Sequence, residues 1–466
     1  MNRPKNTAWL ADLIYTGDRF EAQVGIACND VGRISSMPAA PELENPIQLK
    51  NRALLPGLVN AHSHAFQRVI RGRTEYRTGN KSDSFWTWRE MMYSAAARLS
   101  PEDIYDASRM AFLEMALSGI TAIGEFHYLH NQPDGCPYDE PNLLAKEVIR
   151  AARDVGLRIA LLRVAYARSG YEKDPNPRQA RFIEADSNDY LRHLAQLQSS
   201  LANNGGQAWV GIAPHSVRAV PLNYLKEVVA FGNDRRLPVH MHVAEQQAEV
   251  SACIHEYGRS PVALLETEGL LSDRFTAVHA IHVTPKAARM LSKARAQVCA
   301  CPTTERNLGD GIVPAHMFFE NNVCVSLGTD SQIQVDLLED ARELEYHLRL
   351  QRMERVVLAD QDGEGHSALA ARLFDCVTIN GAHSIGATGG ALVPGTPADF
   401  FTVDLDDPSI AGASQNDLLS SIVFSLSRTA VKDVVVGGKR IVEDGRHAAQ
   451  DEIVQKFSDL QRKLWG

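Results

Sequence analysis

The chain lacks the features that would place it in a membrane, on a nucleic acid or in an oxidising compartment. No segment offers the roughly 20 uninterrupted apolar residues of a membrane span. The opening stretch MNRPKNTAWLADLIYTG begins basic but has no apolar run long enough for a signal peptide. A formal charge of -9 gives no support to nucleic-acid binding, which would need a basic face, and an anionic ligand would need locally placed arginines. Seven cysteines, an odd number and widely scattered, suit reduced thiols, so a cytoplasmic location is expected. Cys299 and Cys301 are spaced C-x-C, not C-x-x-C, and read as small packing residues. Internal repeats and low-complexity tracts are also missing. No G-x-G-x-x-G follows a first strand, which argues against an open dinucleotide-binding sheet.

The 466 residues suffice for one large catalytic domain with a smaller companion. At 44% hydrophobic and 23% charged residues, the composition excludes disorder, collagen and coiled coil. From about residue 52 to 330, eight apolar strand-like runs alternate with amphipathic segments. The runs are ALLPGLVNAH, GITAIGEF, LRIALLRVAY, AWVGIAP, LPVHMHVA, FTAVHAIH, AQVCAC and VCVSLGT. One helix candidate starts at Ser100 as a cap before Pro101 and stops at Gly119. Eight buried strands, each followed by a helix, predict an α/β protein built on a (β/α)₈ TIM-like barrel. The flanks instead contain short alternating segments and Gly/Asp turns, with VVVGGKRIVEDG among them. They predict a small β-sandwich built from both chain ends, and a helical stretch near 366 to 383 leads back to it. The expected division is sandwich over 1–52, barrel over 53–385, sandwich again over 386–450, and a C-terminal helix over 451–466. YEKDPNPRQAR, residues 171 to 181, reads as a long loop after the third strand.

Such barrels carry their chemistry at the C-terminal strand ends. The first strand ends with His62 and His64, which are two apart and so share a face. The fifth ends HMHVAE, offering His240, His242 and Glu245; the sixth supplies His279 and the eighth Asp330. His240 points inward but lies one layer, roughly 6 to 7 Å, below His242, so it reads as packing. His62, His64, His242 and Asp330 then form a nitrogen-rich metal site, which zinc suits best, with iron or another divalent ion as the alternative. The ion would lower the pKa of a bound water. Glu245, three residues beyond a ligand, could carry a proton from that water to a leaving nitrogen. The strands LRIALLRVAY and AWVGIAP have no lysine to bridge a second ion, so one divalent ion is expected.

H-x-H, the H-x-x-E of HVAE, His279 and Asp330 together resemble the mononuclear deaminase branch of the amidohydrolase superfamily, over essentially the whole chain. Within that branch NAHSHAFQR, FWTWREMMY and CPTTERNLGDGI look like the formimidoylglutamate deiminase family. The resemblance implies hydrolysis of N-formimino-L-glutamate to N-formyl-L-glutamate and ammonia in histidine degradation, by attack of metal-bound hydroxide on the formimino carbon. It implies that His62, His64, His242 and Asp330 hold the metal and that Asp330 accepts the water's proton. His279 would orient the hydroxide and Glu245 would shuttle protons. It implies substrate binding by Gln67, Arg89, Tyr128, His215 and Arg218, a small dicarboxylate as substrate, and a homodimer.

Charge supports the diacid independently, because arginine pairs bidentately with carboxylate. Arg218 follows the fourth strand, and Arg89 sits in the long first loop with Arg68, Arg71, Arg73 and Arg77. Trp86 and Trp88 could shield the site, although packing of a long loop explains them equally well. Two other readings remain open. One is a deaminase or chlorohydrolase of an aromatic heterocycle; the other is a non-catalytic barrel kept as a scaffold.

Overall fold

The computed structural model describes residues 7–77, 83–202, 205–359 and 367–466. Eight parallel strands form a nearly closed ring: Leu58–Ser63, Ile120–His127, Arg158–Ala165, Ala208–Pro214, Val239–Val243, Phe275–His279, Gln297–Ala300 and Val325–Leu327. Almost every residue in them is buried, as a parallel sheet covered on both faces requires. The helix Pro101–Leu117 follows from its caps. Ser100 accepts the Asp103 N–H at 3.2 Å, and the Asp103 carboxylate accepts the Ser100 N–H at 2.8 Å.

The eighth strand meets the first at the mouth of the barrel. There the His64 N–H donates to the Asp330 carbonyl at 2.9 Å, and the Asp330 N–H donates to the His62 carbonyl at 3.0 Å. Gly328 permits this approach, since a Cβ there would lie 2.7 Å from the His62 Cβ. The backbone that completes the ring therefore brings three candidate metal ligands together.

The run ALLPGLVNAH is not one strand. Its first part ends the strand Ile47–Pro56 of the outer sheet, and its second is the first barrel strand. The break falls at Gly57, where the chain passes so close to Thr121 that a Cβ would meet its Oγ1 at 2.3 Å. Periodicity could not reveal the break, because both halves are apolar and buried.

Both chain ends build a second, mixed sheet of nine strands. Thr7–Tyr15, Phe20–Glu21, Gly25–Cys28, Ile34–Ser36 and Ile47–Pro56 come from one end. Phe400–Asp404, Val431–Val436, Lys439–Glu443 and Arg446–His447 come from the other. The halves join where Phe400–Asp404 runs antiparallel to Ile47–Pro56. The predicted sandwich thus takes the form of one continuous hydrogen-bonded sheet around a small core that includes Trp9, Ile26, Leu49, Phe400 and Val435. Helices Ala368–Cys376 and Ile379–Ser384 supply the expected helical stretch; residue 366, where it was to begin, lies outside the described residues. The 171–181 loop holds one short turn of 3₁₀ helix, Pro177–Gln179. Among the described residues, no helix is long and apolar enough to cross a membrane.

Candidate metal centre and its pocket

Three buried imidazoles converge at the C-terminal end of the barrel. The His62 Nε2 lies 3.2 Å from the His64 Nε2 and 3.2 Å from the His242 Nε2. Carbonyls decide two of the tautomers. His64 Nδ1 sits 2.9 Å from the Phe126 carbonyl, and His242 Nδ1 sits 3.1 Å from the His215 carbonyl. A carbonyl only accepts, so both Nδ1 atoms carry the proton and both Nε2 lone pairs face inward. Burial holds all three rings neutral: it pushes His64 down to about 3 and places His62 and His242 well below the usual histidine range. Neutral lone pairs facing one another in a dry site repel unless a cation lies between them.

The carboxylate of Asp330 completes the cluster, with Oδ1 3.3 Å from His64 Nε2 and 3.7 Å from His62 Nε2. Burial pushes its carboxyl up to about 7, and a neighbouring cation would restore its charge. Asp330 adopts φ +46° and His279 φ +70°, left-handed values that are uncommon outside glycine. Nitrogen and oxygen donors of this kind fit zinc or a similar divalent ion. His240 stays out of the cluster and bonds the Ser384 carbonyl at 2.8 Å one layer below.

His279 stands across from these ligands. Its Nε2 faces Asp330 Oδ2 at 3.8 Å and Glu245 Oε1 at 3.9 Å. Burial opposes charge on this ring. Glu245, the Glu305 hydrogen bond and Asp330 together still raise its pKa well above the ordinary value. Glu245 follows Ala244, whose φ of +52° turns the chain over the mouth.

A cavity of about 50 Å³ opens above this group. Gln67, Arg89, Tyr128, His215 and Arg218 all line it, as do His64, His242, Glu245, His279 and Asp330. Gln67 Nε2 donates to the Tyr128 hydroxyl at 2.8 Å. Arg89 comes from the helix Phe85–Ala96 and lies over Trp86, 4.4 Å from the ring centroid. The buried Nε and Nη1 of Arg89 and Nη1 of Arg218 have no hydrogen-bond partner. The crowded arginines of the first loop divide clearly. Arg68 and Arg71 pair with Glu114, and Arg73 bonds Gln461, so these three are engaged with the protein itself. Trp88 reaches the cavity wall while Trp86 stacks on Arg89.

Sequence reasoning missed several supporting residues. Glu305 holds His279 through Nδ1 at 3.1 Å. Glu125 accepts the Ser63 hydroxyl at 2.5 Å and the Ala65 N–H at 2.7 Å, fixing the chain on both sides of His64. Glu249 accepts the Glu245 N–H at 3.2 Å. Only Glu305 had a signal, its place in CPTTERNLGDGI. Cys299 and Cys301 are fully buried, as packing requires, although Cys301 Sγ also lies within 4.8 Å of donor atoms on His279 and Glu305.

Comparison with known proteins places this arrangement. The amidohydrolase family profile matches residues 53–441. The formimidoylglutamate deiminase of Pseudomonas aeruginosa is 39% identical over 88% of this chain and 89% of its own length. A 5-methylthioadenosine/S-adenosylhomocysteine deaminase of Syntrophomonas wolfei is 29% identical over 91% of this chain and 90% of its own. The crystal structure of an amidohydrolase from Brucella melitensis superposes with a TM-score of 0.89 at 33% identity, covering 99% of this chain and 100% of that one. The chain belongs to the amidohydrolase family, whose members are metal-dependent, and is a hydrolase acting on C–N bonds.

Proposed function

We propose that the protein hydrolyses the formimino C–N bond of N-formimino-L-glutamate, releasing ammonia and N-formyl-L-glutamate. The observation that carries this reading is the pair of arginines in the cavity wall. Arg89 and Arg218 present buried, unpartnered N–H groups to the same space that the histidine cluster faces. An unpaired buried donor on a charged group is costly. A dicarboxylate substrate removes that cost and holds its formimino end toward His62, His64 and His242. The relative in P. aeruginosa carries the same activity in its name.

His62, His64, His242 and Asp330 would hold one zinc ion. When bound, it supplies Lewis acidity that makes water ionise near neutral pH. The chain's own groups do the rest. Asp330 would accept the water's proton at a carboxylate oxygen. The His279 imidazolium, fixed from behind by Glu305, would orient the oxygen that adds to the formimino carbon by donating to it from Nε2. Glu245, 3.9 Å from His279, passes a proton to the departing nitrogen. Phe85, Trp88 and Phe182 give the cavity an apolar part of its lining.

A second reading, deamination of an aromatic heterocycle, draws on those same rings and on the S. wolfei relative. Ammonia release decides between them. Formiminoglutamate should turn over, whereas guanine, adenosine and 5-methylthioadenosine should not; the reverse order would replace the first reading with the second.

A further inference from the structure

The eighth barrel strand ends at Leu327, so Asp330 lies three residues beyond the ladder that places the strand. Two left-handed residues must be held there, Asp330 at φ +46° and Gln332 at φ +62°. Side chains other than glycine keep such values only where their surroundings impose them. A run of polar side chains supplies that restraint. Asn60, Ser63 and Glu125 come from the first two barrel strands, Thr329 and Gln332 from the turn around Asp330, and all five are buried.

Backbone partners at both ends settle the direction of the bonds. The Asp330 carbonyl can only accept, so the group facing it at 2.9 Å is the Gln332 Nε2. The second N–H of that nitrogen goes to Ser63 Oγ at 2.9 Å. Ser63 in turn donates to Glu125 Oε2 at 2.5 Å, and Glu125 Oε1 accepts the Ala65 N–H at 2.7 Å. On the other side, the Thr329 N–H donates to Asn60 Oδ1 at 3.0 Å, which turns Asn60 Nδ2 toward the Thr329 hydroxyl at 2.7 Å. That hydroxyl donates to Gln332 Oε1 at 3.0 Å.

The run threads between the candidate ligands. Ser63 separates His62 from His64 in the chain, and Thr329 and Gln332 flank Asp330. The Asp330 carbonyl takes the His64 N–H and the Gln332 amide together, both at 2.9 Å. Gln332 therefore spans the seam where the barrel closes and ties the H-x-H strand to the carboxylate.

We propose that Gln332 is a positioning residue of the metal centre: its amide, oriented by Thr329 and Asn60, sets Asp330 against the His62–His64 pair. This rests on the metal centre described above and adds what holds its oxygen ligand beside its nitrogen ligands.

The test reads metal binding, not turnover. Gln332→Leu keeps most of the side-chain bulk and removes its three hydrogen bonds. Zinc affinity is measured by chelator competition, and cobalt is loaded in place of zinc so that its visible absorption reports the ligand arrangement. Gln332→Leu should bind zinc about 10- to 100-fold more weakly, the usual cost of losing a group that orients ligands. Its cobalt bands should differ from those of the parent. Thr329→Val should move both readouts the same way by a smaller factor, and Thr329→Ser, which keeps the hydroxyl, should match the parent. A merely structural role would lower Tm while zinc affinity and cobalt bands stay at parent values, and that result overturns the proposal. Should Gln332→Leu fail to fold, the threonine pair carries the test, and equal zinc affinity in Thr329→Val and Thr329→Ser overturns it. A parent chain that binds no zinc rejects the centre itself; tight parent binding with unchanged variants rejects only the role of Gln332.

Discussion

The Nδ1 of His279 meets Glu305 Oε1 at 3.1 Å, and the same oxygen accepts the Cys301 N–H at 2.8 Å. One carboxylate thus fixes the ring from behind and favours its charged form, leaving Nε2 to face Asp330 and Glu245. Glu305→Gln keeps the acceptor for Cys301 but removes the charge. It should lower kcat by about 10- to 100-fold, the range for groups that orient site histidines, while metal content stays at the parent value. Atomic absorption and steady-state assay of the same sample check this, and an unchanged kcat removes Glu305 from the account.

Glu245 stands 3.9 Å from His279 without touching the histidine cluster. Glu245→Gln should retain the metal and lose turnover by roughly 10² or more, as for a lost proton carrier. Near-normal turnover would take Glu245 out of the mechanism.

Substrate capture by Arg218 is part of the proposed function. Arg218→Met should lower kcat/KM for formiminoglutamate by roughly 10- to 100-fold, the equivalent of one charge-assisted hydrogen bond, mainly through KM. If KM and kcat/KM both hold, Arg218 does not touch the substrate.

Acid stability should depend on Glu184. Burial would raise its carboxyl pKa, but His130, Arg163 and His193 outweigh burial and hold it well below the ordinary range. Its Oε1 lies 3.0 Å from Arg163 Nη2 and 2.6 Å from His193 Nδ1. A depressed folded pKa contributes stability above the unfolded value, about 4.3, and loses it as pH falls toward the folded value. Melting temperature should therefore decline as pH drops below about 5. Glu184→Gln should show a smaller decline from a lower starting Tm, because Arg163 is left buried without its counter-charge. Equal slopes for parent and variant would remove Glu184 as the cause.

Much of this was legible in the sequence wherever a period or a strand end marks position. His62 and His64 share a face because strands alternate, and His242 lies one layer above His240 for the same reason. The break at Gly57 was not legible, since it depends on Thr121 in another strand. Glu305 could not be given its role because His279 lies 26 positions away, across a gap that no local pattern spans. Arg89 could not be told from Arg68 or Arg71 until Glu114 was found engaging the latter two.

The central claim is that His62, His64, His242 and Asp330 grip a single divalent cation on which turnover depends. Exhaustive chelation of the purified chain, followed by zinc titration with parallel circular dichroism, tests it directly. Activity should vanish while the fold persists, then return in full at one equivalent of zinc per chain. Undiminished turnover in folded, metal-free protein would contradict the account.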